Sequence, residues 1–216
     1  MLEQAVLVFA AISAIGSACG DHAITTTELF RFRHDPETPC VRIPSLVTVP
    51  GGVVVALAEC RQFVGDGCRP WDDDNASLKE PSWGANRYIC SRRSTDYGRS
   101  FGPWQHNITR MRSWNPATAV IDRTTTKHGN ASSVLLFFND GDAWLKQRPS
   151  AGGTPWLVRS FNLGLTWGEP SPISIEGPLP AGAAGGFNLG PGRALVLDSG
   201  RILLAGGSSI ALGKCP

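Results

Sequence analysis

The feature that most constrains this chain is an eight-residue pattern that occurs twice, as 94-STDYGRSF-101 and 160-SFNLGLTW-167. Each copy reads Ser, any residue, Asp or Asn, any residue, Gly, any residue, Ser or Thr, then an aromatic. This is turn chemistry: the Asp or Asn side chain accepts hydrogen bonds from N–H groups of its own turn, and Gly takes a positive φ at no steric cost. Ser94, Asp96, Gly98, Ser100 and Phe101 in the first copy, and Ser160, Asn162, Gly164, Thr166 and Trp167 in the second, are therefore expected to be structural staples of a hairpin, with the aromatic as its anchor. Asn162 stands where the first copy has Asp96, which keeps the acceptor and loses the charge. Recurrence of such a pattern marks repeated supersecondary units.

The flanking residues fit that reading. Val53 to Cys60, Arg87 to Arg93, Ala117 to Ile121, Val134 to Phe138, Trp156 to Phe161, Ala194 to Leu197 and Arg201 to Ala205 each read as a short strand. Pro50-Gly51-Gly52, Asp140-Gly141-Asp142 and Asp198-Ser199-Gly200 separate them as turns. With 25 Gly and 16 Pro among 216 residues, no long helical stretch survives. The expectation is an all-β meander of antiparallel strands whose repeated units are propeller blades.

A formal net charge of +2, with both signs interspersed, excludes a nucleic-acid stripe or a polybasic membrane patch. The apolar run from Ala5 to Ala18 is short for a bilayer span and suits the core of a secretory leader, with small residues at Gly16, Ser17, Ala18 and Gly20 for cleavage. Glu3 and the lack of Lys or Arg before the run fit an uncleaved anchor or a buried strand instead. The expected organisation is a leader over 1–20 and a partial domain over 24–216, in a secreted or secretory-pathway protein. Three sequons, at Asn75, Asn107 and Asn130, would then be glycosylation acceptors. Among the six cysteines (19, 40, 60, 68, 90 and 215), a Cys60–Cys68 bridge is the easiest to imagine, although sequence does not fix connectivity. No cysteine pair has zinc-ligand spacing, and His22, His34, His106 and His128 are scattered, so no metal or other cofactor is expected. Asp72-Asp73-Asp74-Asn75 lacks the spacing of a calcium loop and reads as a solvated loop.

The segment 42-RIPSLVTVPGGVVVALAECR-61 with Asp66 after it, then 92-RRSTD-96 and 112-RSWNPATAVID-122, resembles in order the opening of the sialidase (neuraminidase) catalytic domain, and the two turns resemble its Asp-box (BNR) repeats. The resemblance covers about residues 40–207. It implies a six-bladed sialidase-type β-propeller, of which roughly three blades are present. It further implies release of terminal sialic acid from glycoproteins, gangliosides or oligosaccharides, with retention of configuration.

The chemistry explains the residue types. Sialic acid carries a carboxylate on its anomeric carbon, and a planar guanidinium binds a carboxylate bidentately at any physiological pH. By resemblance Arg42 is the first of the family's three substrate arginines, Arg61 flanks the site, and Asp66 is the general acid and base. The substrate carboxylate repels an anionic nucleophile, which suits the family's use of a Tyr activated by a Glu. Trp114 and Asn115 match a segment near the pocket, where an apolar wall beside an amide suits an N-acyl group. Glu59 reads as a strand-end carboxylate able to orient an arginine.

Each has a plainer use. Arg42 could pair with a surface carboxylate, Asp66 between Gly65 and Gly67 could form a turn, and Trp114 could be a blade-core aromatic. Gly190-Pro191-Gly192 lacks a following Lys-Ser/Thr, so it is a turn and no phosphate cradle, and Arg193 after it is no substitute for a missing substrate arginine. Tyr88 and Tyr97, the only tyrosines, match neither the position nor the setting of the nucleophile. The chain as given is therefore expected to lack the Tyr, its Glu and two substrate arginines, to be inactive by itself, and to depend on a further portion or a partner chain. The rival expectation is a non-catalytic propeller that binds glycans or proteins outside the cell.

Overall fold

A computed structural model of the chain describes residues 26–30, 38, 40–49, 51–62, 87–122, 132–141, 155–174, 188–190, 192–197 and 199–207, with the backbone alone for 115–122. The expected leader, Asp66, the Asp72–Asn75 run, the sequons at Asn75 and Asn130, and His22, His34 and His128 lie outside these residues.

The chain is all-β. β1 (Cys40–Val49), β2 (Val53–Arg61) and β3 (Arg87–Ser94) form one antiparallel sheet in the order β1-β2-β3. β4 (Ser113–Asp122), β5 (Ser133–Asp140), β6 (Pro155–Ser160) and β7 (Ser171–Pro172) form a second, again in chain order. A bridge from Ser91 to Gln105 places beside β3 what β7 places beside β6. In a third region β8 (Asn188–Leu189) pairs with β11 (Gly206–Gly207), and β9 (Leu195–Val196) with β10 (Ile202–Leu203).

The central strands explain the stacking. Every residue of β2 is buried, which requires cover on both faces. Val53, Val55 and Leu57 join Val134, Leu136, Phe138 and Val158 in the core between the first two sheets. On the other face Ala56, Ala58 and Cys60 lie under Leu29 and Phe30. β5 repeats the arrangement, with Leu135 and Phe137 turned toward Leu189 and Ala194 of the third region. Asn139 locks these layers together: its amide donates to the Leu189 carbonyl (3.1 Å) and accepts from the Leu189 N–H (3.0 Å).

β1 and β4, the first strands of their sheets, carry prolines, and each crosses its proline through a register shift, between Arg42 and Ser45 and between Trp114 and Thr118. Both are edge strands, where a missing N–H breaks no ladder. This is why β4 starts at Ser113, before the apolar run at Ala117 that marks it in the sequence.

The two repeated turns follow β3 and β6 and share one hydrogen-bond plan. Ser94 Oγ accepts from Gly98 N–H (2.9 Å), and Ser160 Oγ from Gly164 N–H (2.8 Å). Asp96 Oδ1 accepts from Ser100 N–H (2.9 Å), and Asn162 Oδ1 from Thr166 N–H (2.8 Å). The Asn is accommodated by reversing one bond: Ser100 Oγ donates to Asp96 Oδ2 (2.5 Å), whereas Thr166 Oγ1 accepts from Asn162 Nδ2 (2.8 Å). Tyr97 and Leu163 sit at φ 63° and 58°, and the glycines after them at 82°. The Ser100 hydroxyl and amide, then the Ser94 hydroxyl, hold the Asp96 carboxyl down to about 2.

The second turn is also gripped by the first sheet. Arg93 Nε donates to Leu163 O and Gln105 Nε2 to Leu165 O, both at 2.9 Å, and Gly164 lies against Val55. Phe101 is partly buried against the outer face of the first sheet, and Trp167 is buried between the sheets.

The expected Cys60–Cys68 bridge is replaced by Cys60–Cys90. Register accounts for it: Cys60 lies opposite Tyr88 and Ala58 opposite Cys90, so the two cysteines are diagonal neighbours on one face of adjacent strands, with Cα atoms 5.9 Å apart.

Candidate functional site

The ladders place the polar residues singled out in the sequence at one end of the sheets. Arg42 lies opposite Glu59, and Arg61 opposite Arg87, at the end where β1 and β3 begin and β2 finishes. The first repeated turn is at the far end, where Val54 pairs with Ser94. Trp114, near the start of β4, pairs with Asn139, while the second turn lies past Ser160, which pairs with Val134.

The centre of this end is a buried carboxylate. Glu59 is fully buried, and Arg61 and Arg87 are nearly so. Arg61 Nε donates to Glu59 Oε1 at 2.6 Å, and Arg87 Nη1 stands 3.8 Å from the same oxygen. Arg61 and Arg87 are direct cross-strand partners, and like charges so placed repel. A carboxylate between them offsets that repulsion and replaces part of the hydration that both guanidinium groups lose on burial. The Arg87 guanidinium also lies over the Trp114 ring, 5.4 Å from its centroid.

Arg42 is partly exposed on the rim of this cluster. Its neighbour Ile43 has φ 56°, a conformation disfavoured for a β-branched residue, and the ladder slips immediately after. Such bulges re-aim side chains and recur beside functional sites. The third region reaches the same bulge, where Ser45 Oγ donates to Gly192 O at 3.3 Å.

The structure thus places Arg42 across the ladder from Glu59, Arg61 on that carboxylate, and Trp114 against Arg87. Asn115 follows Trp114 in the backbone of β4 and its side chain is not described; Asp66 is outside the described residues. Both tyrosines are elsewhere. Tyr88 is buried with its hydroxyl on Thr38 Oγ1 (2.7 Å), on the face shared with Cys60 and Cys90, and Tyr97 is in the first turn. Among the described residues no group of His, Cys, Asp and Glu could hold a metal ion.

Sequence reasoning read Glu59 as a carboxylate able to orient an arginine, as it does for Arg61, and missed Arg87. Glu59 had a usable signal, a lone carboxylate inside a strand apolar enough to be buried on both faces, since a buried charge must be paired. Arg87 had none, because its role depends on partners at Glu59 and Trp114, brought together only by the sheet register and the approach of β4.

No protein-family model matches the chain, and no curated protein matches it in sequence. In fold it is similar to the Hadza microbial sialidase Hz136, with a TM-score of 0.51 and 21% identity over 84% of this chain and 35% of that one. It is likewise similar to the NanB sialidase from Streptococcus pneumoniae, with a TM-score of 0.51 and 12% identity over 81% of this chain and 42% of that one. The chain spans 35% and 42% of these two sialidases, and what it shares with them is the sialidase-like β fold.

Proposed function

We propose that this chain carries one side of an exo-α-sialidase site, built on about three consecutive blades of a six-bladed propeller with Asp-box turns. The observation that carries the reading is the guanidinium-rich end of the first sheet, where Arg42 faces Glu59 across the ladder and Arg61 is held on that carboxylate. A buried carboxylate fixes the direction of a guanidinium, and fixed guanidinium groups suit an anionic sugar. The ligand class is a terminal sialic acid on a glycoprotein, ganglioside or oligosaccharide, in the secretory pathway or outside the cell.

In the proposed reaction Asp66 protonates the leaving glycosidic oxygen while a tyrosine attacks the anomeric carbon; Asp66 then deprotonates the water that releases the sugar with retained configuration. Trp114, with Asn115 next to it in the chain, is assigned to the N-acyl group. Neither Tyr88, engaged with Thr38, nor Tyr97, at the opposite end of the sheet, suits the nucleophile, so the reaction needs a Tyr and its Glu from another portion or a partner chain. The same observation favours a second reading, a glycan-binding module that holds sialic acid without cleaving it.

The test combines calorimetric binding of N-acetylneuraminic acid with release of the fluorophore from a fluorogenic sialoside, for the chain together with the portion or partner that supplies the Tyr and its Glu, in native form and as Asp66→Asn. Binding with release that collapses in the variant supports the enzyme. Binding without release supports the module, and no binding refutes both.

A further inference from the structure

We infer that Arg87 is a positioning residue that sets how strongly the site discriminates for the N-acyl group of its ligand. The inference rests on the proposed sialic acid reading and adds to it a residue that reading does not use.

Arg87 occupies a position that a strand would ordinarily give to an apolar side chain. It begins β3, is buried, and faces Arg61 directly across the ladder. Holding a second guanidinium there is unfavourable unless it has work to do, because both its burial and its like-charged neighbour oppose it. Two of its contacts bear on the site. Nη1 lies 3.8 Å from Glu59 Oε1, the carboxylate that fixes Arg61, and Cζ lies over the Trp114 ring, 5.4 Å from its centroid. Arg87 therefore links, through one rigid planar group, the carboxylate that fixes Arg61 and the indole proposed to meet the acyl end of the ligand. A cation over an indole face holds the ring by attraction to its quadrupole, and Arg combines this with planar stacking that Lys lacks. Trp114 begins the bulged segment of an edge strand, where the ladder restrains a ring least, so a side-chain clamp has the most effect there.

The test compares two ligands that differ at one position: N-acetylneuraminic acid and its deaminated analogue, which carries a hydroxyl in place of the acylamino group. Calorimetric affinities are measured for the native chain, Arg87→Met and Arg87→Lys, with circular dichroism to establish folding. Arg87→Met is expected to weaken N-acetylneuraminic acid binding about tenfold and to leave the deaminated analogue within about twofold. Arg87→Lys keeps the charge beside Glu59 and is expected to lose most of the same discrimination, so it decides the matter if the Met variant does not fold. Equal weakening of both ligands in a folded variant, or full discrimination in Arg87→Lys, overturns the inference and leaves the sialic acid reading standing. If the native chain binds neither ligand, that reading falls and the inference with it.

Discussion

Replacing Gly164 by Ala separates two costs that the structure combines at one position. Gly164 has φ +82°, and a Cβ there would lie 2.6 Å from Val55 Cγ2 and 3.1 Å from Cγ1. Val55 is fully buried in the core between the first two sheets and has no direction in which to yield. The left-handed backbone alone costs an L-residue about 1–2 kcal/mol. Forcing a methyl into a packed core adds about 1–3 kcal/mol, so Gly164→Ala is expected to cost roughly 2–5 kcal/mol, a large part of a typical domain's stability. Gly51 supplies the control, since it has the same φ of +82° with nothing within 4 Å of an added Cβ. Gly51→Ala should therefore cost only about 1–2 kcal/mol. Gly52 gives an intermediate case: its Cβ would meet Tyr97 ring atoms at 2.7–2.9 Å, but that ring is 59% exposed and can swing away. The assay is urea unfolding followed by tryptophan fluorescence, with Val55→Ala closing a double-mutant cycle. Val55→Ala removes both Cγ atoms, so the double variant should recover about 1–3 kcal/mol relative to the sum of the single changes. Equal costs for Gly164→Ala and Gly51→Ala, or a coupling near zero, would refute the packing of the second turn on the first sheet.

Glu59→Gln removes the carboxylate between two buried guanidinium groups and is expected to cost about 3–5 kcal/mol in the same unfolding assay. Arg61→Met leaves Glu59 beside Arg87 and should cost less, so the reverse order would show that Glu59 is not the centre of the cluster. Asp96→Asn copies the second turn into the first. Since the folded Asp96 carboxyl sits at about 2, below its ordinary 3.8, its stabilisation is complete above the ordinary value and is lost as pH falls toward 2. The melting temperature of the native chain should consequently fall more steeply between pH 4 and 2 than that of Asp96→Asn, and parallel curves would contradict the hydrogen-bond plan of the turn.

What was legible in the sequence follows from the range of the interactions. The repeated turns are closed by groups at most four residues apart, Ser94 to Gly98 and Asp96 to Ser100, so residue types at fixed spacing specify them completely. Strands β2, β3, β5 and β6 were legible for a similar reason, as their apolar runs are bounded by turn residues. The Cys60–Cys90 bridge was not, because it depends on the register of β2 against β3, and a shift by one residue would turn Cys90 to the other face. The cationic cluster is less legible still. It needs that register and also the approach of β4 to the end of the first sheet, which no local pattern encodes.

The edge prolines connect these two levels. A proline inside an apolar run argues locally against a strand, yet Pro44 and Pro116 both lie within one. The apparent contradiction disappears once each strand is an edge and each proline is crossed by a register shift. The residues just before those prolines, Arg42-Ile43 and Trp114-Asn115, are the ones the sequence singled out for ligand chemistry or their immediate neighbours. The same slip that lets an edge strand tolerate proline therefore also releases its next side chains from strict alternation. In a stack of sheets whose first strands share this interruption at one end, the site is expected where regular pairing fails, and the long apolar cores of β2 and β5 behind it supply the rigidity that the bulges give up.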